Sequence, residues 1–372
     1  MDSIAYTSVV VKLGTSTLTA GRASLSPARM VELVRQLAQL HQAGCQVVLV
    51  SSGAIAAGRE RLAFPHLPKK IPAKQMLAAV GQPRLMALYE QLFEIYGLTV
   101  AQVLLTKTDL ADRRRYLNSR NTLSALLAQG VVPIVNENDT VATEEIRLGD
   151  NDNLSALVAN LIEADLLVML TDQPGLFTAD PRADSSAELI HEIGPSPIPP
   201  SLWESVSKNA GCLGTGGMLT KLQAADLARR SGTTVIIAGG DEENVLTRLV
   251  AGEALGTRFA PLSTPLESRK RYILAGGNNV HGTIAVDAGA VRALRKGGSL
   301  LPVGVIQVTG KFDTGDTVKV VASSGDELGR GLVNYSADDL SRIAGKQSQE
   351  IEAILGSDYE DEVIHRNNLV LL

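Results

Sequence analysis

The sequence is poor in the residues that build metal sites and disulfides. It contains 2 cysteines, Cys45 and Cys212, and neither stands in a CxxC or Cys/His spacing. This argues against a structural zinc site and indicates a reducing compartment. The 5 histidines are scattered outside the polar turns, which makes a Ser-His-Asp hydrolase an unfavoured interpretation.

The chain also lacks an excess of basic charge and a long apolar run. Its formal net charge is -5 at pH 7, which argues against general electrostatic adhesion to nucleic acid or to an anionic membrane. No run approaches the roughly 18 apolar residues of a membrane span. The N-terminus has no basic segment followed by an apolar core. We therefore expect a cytoplasmic protein with no membrane partner.

Two common nucleotide-binding signatures are missing as well. No G-x-x-x-x-G-K-[ST] sequence occurs, which excludes a P-loop. The stretch Gly214-Thr215-Gly216 does not open the first βα turn and has no glycine three residues on, so the dinucleotide fingerprint also fails. A nucleotide site in this chain must be built in another way.

Strands and helices alternate through the first part of the chain. Helical stripes, including a long one over 73–96 with a bend expected at Pro83, separate six segments of buried-strand type: 8–12, 46–50, 99–105, 131–135, 166–170 and 234–238. This alternation predicts an α/β fold with a doubly wound, mainly parallel sheet. Ligands of such a sheet lie at the carboxyl ends of its strands.

The pattern changes after Pro265. Short β-type runs at 305–308, 317–321 and 331–335 alternate with glycine-containing turns. We predict a second, smaller, β-rich domain. The expected divisions of the chain are 1–265, 276–357 and a C-terminal tail, 358–372.

The most polar stretch of the chain precedes a helix. It contains Asp150, Asn151, Asp152 and Asn153, and an apolar helical stripe follows directly. We predict that Asp152 or Asn153 is the N-cap of this helix. The carboxylates can position cationic groups while the helix start receives a substrate anion. An Asx turn that only caps the helix is the alternative.

Two lysines stand where segments reach the same edge of the sheet. Lys12 ends the first strand, and Lys221 ends a glycine-rich turn, 214–221, before a helix. The alternative for each alone is structural, since strand-end lysines are commonly solvated and such glycines commonly make only a tight turn. With the carboxylates, and without a candidate base, they indicate phosphoryl transfer to a carboxylate. A carboxylate needs no base, because its reference pKa of ~4.3 leaves it ionised at neutral pH.

The chain resembles the glutamate 5-kinase family, a branch of the amino acid kinase family. Five segments carry the resemblance: Val10-Val11-Lys12-Leu13-Gly14-Thr15-Ser16, Ser52-Gly53-Ala54-Ile55, Asn136-Glu137-Asn138-Asp139, Gly149-Asp150-Asn151-Asp152-Asn153-Leu154-Ser155 and 214–221. It covers nearly the whole chain, including a C-terminal part similar to a PUA domain. It implies ATP-dependent phosphorylation of the γ-carboxylate of L-glutamate to L-glutamyl 5-phosphate, the first step of proline synthesis.

The resemblance also implies roles for individual residues. Lys12 and Lys221 would stabilise the transferring phosphoryl group, and Asp150 and Asp152 would orient the lysines and a magnesium shell. ATP and Mg²⁺ are the implied cofactors, with metal ligands left unassigned. The residues implied to hold the nucleotide are Lys12, Thr171, Asp172, Thr215, Gly216, Gly217, Met218, Leu219, Thr220 and Lys221.

Glutamate would be held by Ser52, Asp139 and Asn151. Physical chemistry agrees with these implied roles, because a carboxylate can pair with an α-ammonium group and a hydroxyl can donate to a carboxylate. Leu219 occupies a position that a small hydroxyl residue could equally fill. We expect little consequence, since this loop works through its backbone.

The expected partners are L-glutamate and ATP, with a homo-oligomer, dimer or tetramer, as the assembly. The resemblance suggests proline as a feedback inhibitor, and we expect it to compete at the glutamate site rather than act through the second domain. Two alternatives stay open: another amino acid kinase, acting on aspartate or N-acetylglutamate, and an RNA-binding or RNA-modifying protein using the PUA-like domain. The net charge of -5 and the lack of a basic, aromatic-studded stripe in 276–357 count against RNA.

Overall fold

The computed structural model describes residues 5–68, 70–142, 151–208, 217–264, 280–356 and 360–372, without the side chains of residues 113 and 367. The chain divides into two compact units. One comprises Met1–Ala111 and Asn118–Pro265, and the other comprises Asp112–Leu117 and Leu266–Leu372. Among the residues described, no helix combines the length and the apolarity that a membrane crossing requires.

Strands and helices alternate from Ser8 to Phe259. In chain order they are β1 (Ser8–Leu13), α1 (Thr15–Thr19), α2 (Pro27–Gln42), β2 (Gln46–Ser51), α3 (Ala54–Arg61), α4 (Ile71–Glu94), β3 (Val100–Leu105), α5 (Lys107–Ala111), α6 (Arg113–Ala128), β4 (Val132–Glu137), α7 (Asn151–Ile162), β5 (Leu166–Thr171), β6 (Glu192–Ile193), α8 (Pro200–Lys208), α9 (Met218–Arg230), β7 (Thr234–Gly239), α10 (Val245–Val250) and β8 (Thr257–Phe259).

These strands form one eight-stranded sheet in the order β3-β4-β2-β1-β5-β7-β8-β6. All neighbours from β3 to β7 are parallel, β8 is antiparallel to β7, and β6 is parallel to β8. Strands β4 and β5 are buried along their whole length, because helices cover both faces of such a sheet. The predicted α/β fold with a doubly wound, mainly parallel sheet is confirmed.

The register of the central strands brings four polar turns to one edge. Leu13 at the end of β1 pairs with Ser51 at the end of β2 and with Leu170 near the end of β5. Strand β4 is parallel to β2 and ends at Glu137. The turns that follow these strands therefore meet at the carboxyl edge of the sheet, where α/β proteins bind their ligands.

Helices α3 and α4 approach each other backbone to backbone at two glycines. A Cβ atom at Gly58 would lie 1.9 Å from the carbonyl oxygen of Leu77, and one at Gly81 would lie 1.8 Å from that of Ala54. Both distances are far shorter than van der Waals contact, so this approach requires glycine on both helices. Helix α4 is continuous through Pro83, and the bend expected there stays a prediction.

Two local predictions were wrong. In the described part of the chain helix α7 spans Asn151–Ile162, so Asp152 and Asn153 lie within the helix and neither is its N-cap. The predicted strand 331–335 is displaced, because β12 spans Glu327–Leu332. Val333 and Tyr335 are fully buried without belonging to a strand, and an apolar run of this length does not distinguish a strand from a buried loop.

The second unit contains a smaller sheet. Its elements are β9 (Gly282–Val286), α11 (Ala288–Arg295), β10 (Val305–Gly310), β11 (Thr317–Ala322), β12, α12 (Ala337–Ile343), α13 (Ile351–Leu355) and β13 (Leu369–Leu371). The strand order is β10-β9-β11-β12-β13, in which only β9 and β11 pair in parallel. Ile284, Val286, Val318 and Val320 form part of its core. The predicted second, smaller, β-rich part of the chain is confirmed.

Candidate active site

Three segments of the first unit bring two lysines to one buried carboxylate. Lys12 lies in β1, Asp152 in the first turn of α7, and Lys221 in the first turn of α9. Lys12 Nζ is 2.5 Å from Asp152 Oδ1, and Lys221 Nζ is 3.1 Å from Asp152 Oδ2, with side-chain exposures of 5% for Lys12, 0% for Asp152 and 7% for Lys221. We call these three side chains the lysine cluster.

The electrostatics of the lysine cluster keep its carboxylate charged. Burial by itself would raise the pKa of the Asp152 carboxyl, but the charges of Lys12 and Lys221 outweigh it and hold this pKa below its ordinary value. The Thr220 hydroxyl donates a further hydrogen bond of 2.8 Å to Oδ2. The cluster thus carries two positive charges and one negative charge, an arrangement that favours an anionic ligand.

A second polar group surrounds the side-chain amide of Asn151. Its Nδ2 lies 3.1 Å from the carbonyl oxygen of Ser51, 3.0 Å from Ser52 Oγ and 2.9 Å from Asn136 Oδ1. Gly53 has a φ of 107°, a left-handed conformation that lets the chain turn from β2 into α3 directly after Ser52. The structure therefore brings Ser52 and Asn151 together, as their shared predicted role requires.

Side chains without a predicted role support this second group. Asn136 Nδ2 donates to Gln82 Oε1 on α4 at 2.8 Å, and the Ser51 and Tyr89 hydroxyls lie 2.8 Å apart in the core. Asn136 stands in a segment that carries the family resemblance, but nothing in the sequence indicates Gln82 or Tyr89. Their contacts depend on how α4 packs on the sheet, which helical periodicity does not specify.

Asp139 lies in the turn that follows β4. Burial raises the pKa of its carboxyl to about 6, against a smaller lowering by the positive charge of Lys74. This carboxyl therefore titrates closer to neutral pH than an exposed aspartate does.

Thr171 and Asp172 lie at the end of β5, on the same edge as Lys12. The carbonyl oxygen of Thr171 accepts from the Gly240 N–H at 2.7 Å, and the Thr171 hydroxyl donates to Asp172 Oδ1 at 3.1 Å. The other oxygen of Asp172 is 3.4 Å from Arg182 in an exposed ion pair. Asp172 is thus exposed at this edge, whereas Thr171 is buried.

The remaining predicted residues belong to the start of α9 or lie outside the described residues. Gly217 precedes the helix, and Met218 and Leu219 are in its first turn with Thr220 and Lys221. Asp150, Thr215 and Gly216 lie outside the described part of the chain. The roles predicted for all of these residues stay predictions.

The contacts of Asp152 determine whether this carboxylate can bind a metal ion directly. Within the described ranges, no group of three or more His, Cys, Asp or Glu side chains is arranged to hold a metal. Each oxygen of Asp152 already lies within bonding distance of an ammonium group, which disfavours a direct metal bond. Mg²⁺ commonly keeps several waters and binds through substrate phosphates. The site fits a magnesium ion carried by a nucleotide.

Comparison with known proteins places this geometry in a family. The model of the amino acid kinase family matches residues 7–239. The chain belongs to the amino acid kinase family. A model of the PUA domain matches residues 282–355, which confirms the predicted PUA-like part. Membership of this family also confirms the predicted enzyme class, a kinase.

Curated glutamate 5-kinases are similar to the chain over nearly its whole length. The chain is 55% identical to the glutamate 5-kinase of Shewanella sediminis over 100% of both chains. It is 56% identical to that of Photobacterium profundum over 98% of this chain and 96% of that protein. The predicted resemblance to glutamate 5-kinase is confirmed. Among solved structures, the UMP kinase of Bacillus anthracis is similar at 18% identity, with a TM-score of 0.46 over 69% of this chain and 97% of that chain.

Proposed function

We propose that the chain transfers the γ-phosphoryl group of ATP to the γ-carboxylate of L-glutamate and forms L-glutamyl 5-phosphate for proline synthesis. The lysine cluster is the observation that carries this proposal, because it provides two fixed positive charges at the ligand-binding edge of an α/β sheet. The glutamate 5-kinases that share more than half of its residues, such as that of Shewanella sediminis at 55% identity, support the choice of substrate.

The proposed chemistry needs charge stabilisation more than it needs a base. The attacking carboxylate is ionised at neutral pH, and its difficulty is to approach an anionic polyphosphate. Lys12 and Lys221 would neutralise the charge on the transferring group, and Asp152 would fix both ammonium groups before the substrate binds. Groups that are already oriented cost no reorganisation during the reaction, which makes such stabilisation effective.

The second polar group would hold glutamate. Ser52 accepts a hydrogen bond from Asn151, so its own hydrogen can donate to the α-carboxylate. Asp139 would pair with the α-ammonium group in its ionised form. Thr171, Asp172 and 215–221 would hold the nucleotide. Bound Mg²⁺ would supply further positive charge on the phosphates, with Asp150 and Asp152 orienting its surroundings.

The organisation around the site is proposed on the same basis. Residues 1–265 would form the kinase domain, 276–357 the PUA domain and 358–372 a tail. We expect a cytoplasmic homo-oligomer, either a dimer or a tetramer. Proline has the α-carboxylate of glutamate but no γ-carboxylate, so it would occupy the glutamate site without reacting and act as a feedback inhibitor.

A trapping assay tests the reaction directly. The protein is incubated with ATP, magnesium, hydroxylamine and either glutamate, aspartate or N-acetylglutamate. Hydroxylamine converts an acyl phosphate product to a hydroxamate, which is detected as its coloured complex with ferric iron. We expect ATP-dependent hydroxamate with glutamate and much less with the other two acids. A reaction without ATP is the control. Absence of hydroxamate with glutamate would show that the proposed function is wrong.

A further inference from the structure

Four side-chain amides form a continuous chain from the surface to the proposed glutamate site. Gln102 on β3 is exposed, Gln82 on α4 is half-buried, and Asn136 and Asn151 are buried. Gln82 Nε2 lies 3.1 Å from Gln102 Oε1, Asn136 Nδ2 lies 2.8 Å from Gln82 Oε1, and Asn151 Nδ2 lies 2.9 Å from Asn136 Oδ1. Each nitrogen donates to the oxygen of the next amide outward. We call this arrangement the amide chain.

Two backbone groups set the direction of the amide chain. An amide side chain keeps its shape when its oxygen and nitrogen exchange places, so its hydrogen-bond partners decide its orientation. The Glu137 N–H donates to Asn136 Oδ1 at 2.8 Å, and the Ser51 carbonyl accepts from Asn151 Nδ2 at 3.1 Å. A backbone N–H can only donate and a carbonyl can only accept. If the amide of Asn136 were reversed, its NH₂ group would face the Glu137 N–H, and if that of Asn151 were reversed, its oxygen would face the Ser51 carbonyl. Either reversal would leave buried polar groups without a hydrogen bond.

The direction decides what the second polar group offers to a ligand. The two hydrogens of Asn151 Nδ2 serve three acceptors, on Ser51, Ser52 and Asn136. The Oδ1 atom of Asn151 accepts no hydrogen bond from the residues that the structure describes. Asn151 is thus left with an acceptor and Ser52 with a donor, and these match the ammonium and the carboxylate of an amino acid.

We propose that Gln82 is a positioning residue of this site, which acts through Asn136 to keep the amide oxygen of Asn151 available to the α-ammonium group of the substrate. The proposal rests on the proposed function. Gln82 Oε1 accepts from the buried Asn136 Nδ2. Without that acceptor the buried Asn136 amide keeps its bond from the Glu137 N–H but loses the second bond that fixes its position. A displaced Asn136 Oδ1 then no longer holds the Asn151 amide in the position that the substrate requires.

The test compares two substitutions at one position. Gln82→Met keeps the length of the side chain and removes the acceptor, whereas Gln82→Glu keeps an acceptor facing Asn136. We expect Gln82→Met to raise the KM for glutamate about tenfold, as loss of a buried hydrogen bond does, and to leave the KM for ATP unchanged. Gln82→Glu should retain a KM for glutamate close to that of the parent. Gln91→Met, an exposed position on the same helix, is the matched control.

A second measurement separates positioning from a general structural effect. Glutarate has both carboxylates of glutamate but no ammonium group, so its inhibition constant against glutamate should not change in Gln82→Met. Thermal unfolding of each variant establishes that it is folded, and Gln82→Ala carries the same expectations if Gln82→Met does not fold. An unchanged KM for glutamate in Gln82→Met, a Gln82→Glu variant as impaired as Gln82→Met, or equal weakening of glutamate and glutarate would overturn the inference. A parent protein that forms no hydroxamate would instead refute the proposed function.

Discussion

Replacing Asp152 with asparagine removes the negative charge of the lysine cluster and keeps the shape of its central side chain. The ammonium groups of Lys12 and Lys221 lie 2.5 and 3.1 Å from the oxygens of Asp152, and none of the three side chains is more than 7% exposed. In Asp152→Asn both lysines lose the carboxylate that they share. Removal of one partner from a buried ion pair typically costs about 3–5 kcal/mol, because a buried charge loses its compensation.

We therefore expect Asp152→Asn to lower the free energy of unfolding at pH 7 by about 3–5 kcal/mol. The pKa of Asp152 lies below its ordinary value of 3.8 in the folded state. Its contribution to stability is thus complete above that value and is lost as pH falls through the folded pKa. The difference between parent and variant should accordingly shrink in acid. Turnover should also fall about 100-fold or more, because the ammonium groups are no longer held in place.

Urea unfolding followed at several pH values measures the first effect, and hydroxamate formation measures the second. Asp172→Asn is the matched control for stability. In its ion pair with Arg182, the Asp172 side chain is 61% exposed and the Arg182 side chain is 71% exposed. Such exposed pairs contribute about 0–1 kcal/mol to the free energy of unfolding. An Asp152→Asn variant as stable as Asp172→Asn, with unchanged turnover, would refute the assignment of a buried, functional cluster.

Three further predictions concern the two substrates and proline. Lys221→Ala should lower kcat by the equivalent of about 2–4 kcal/mol with little change in the KM for glutamate, and higher Michaelis constants with normal kcat would make it only a binding group. Asp139→Ala should raise the KM for glutamate while calorimetry shows unchanged ATP affinity. In the parent, kcat/KM for glutamate should fall as pH drops through about 6, where Asp139 takes up a proton and can no longer pair with an ammonium group; a flat profile would contradict this role. Inhibition by proline should weaken as glutamate rises and diminish in Asp139→Ala, and undiminished inhibition would place the proline site elsewhere.

The sheet and its binding edge could be predicted from the sequence because each rests on a local pattern. Strands such as β5 are continuous apolar runs, and this composition follows from burial on both faces of a parallel sheet. The polar turns after those strands then meet because parallel strands share an edge. Lys12 could be selected in this way, and Lys221 could be selected from the glycine-rich turn before its helix, without knowledge of any contact between them.

The partners of these residues depend on packing over long separations and could not be predicted. Lys221 bonds a carboxylate 69 positions away in the chain. Aspartate is one of the residue types that commonly cap helices, which is why Asp152 was predicted to be an N-cap. In the structure its carboxylate instead pairs with two lysines. Gln82 is one polar residue among many on a long helix. Only the crossing of α4 over the sheet places it against Asn136.

The glycine contact between α3 and α4 has a consequence for the substitutions that the chain can tolerate. Helix α3 begins directly after Ser52 and Gly53, and α4 carries Gln82 next to Gly81. Because each glycine is required by the backbone of the other helix, a library that varied both Gly58 and Gly81 should recover glycine alone at each. Variants at either position would lose the ability to use glutamate, although neither substitution changes a group that contacts the substrate. Mutational scanning would thus mark these two positions as essential to the chemistry, and only the geometry of the helices explains why.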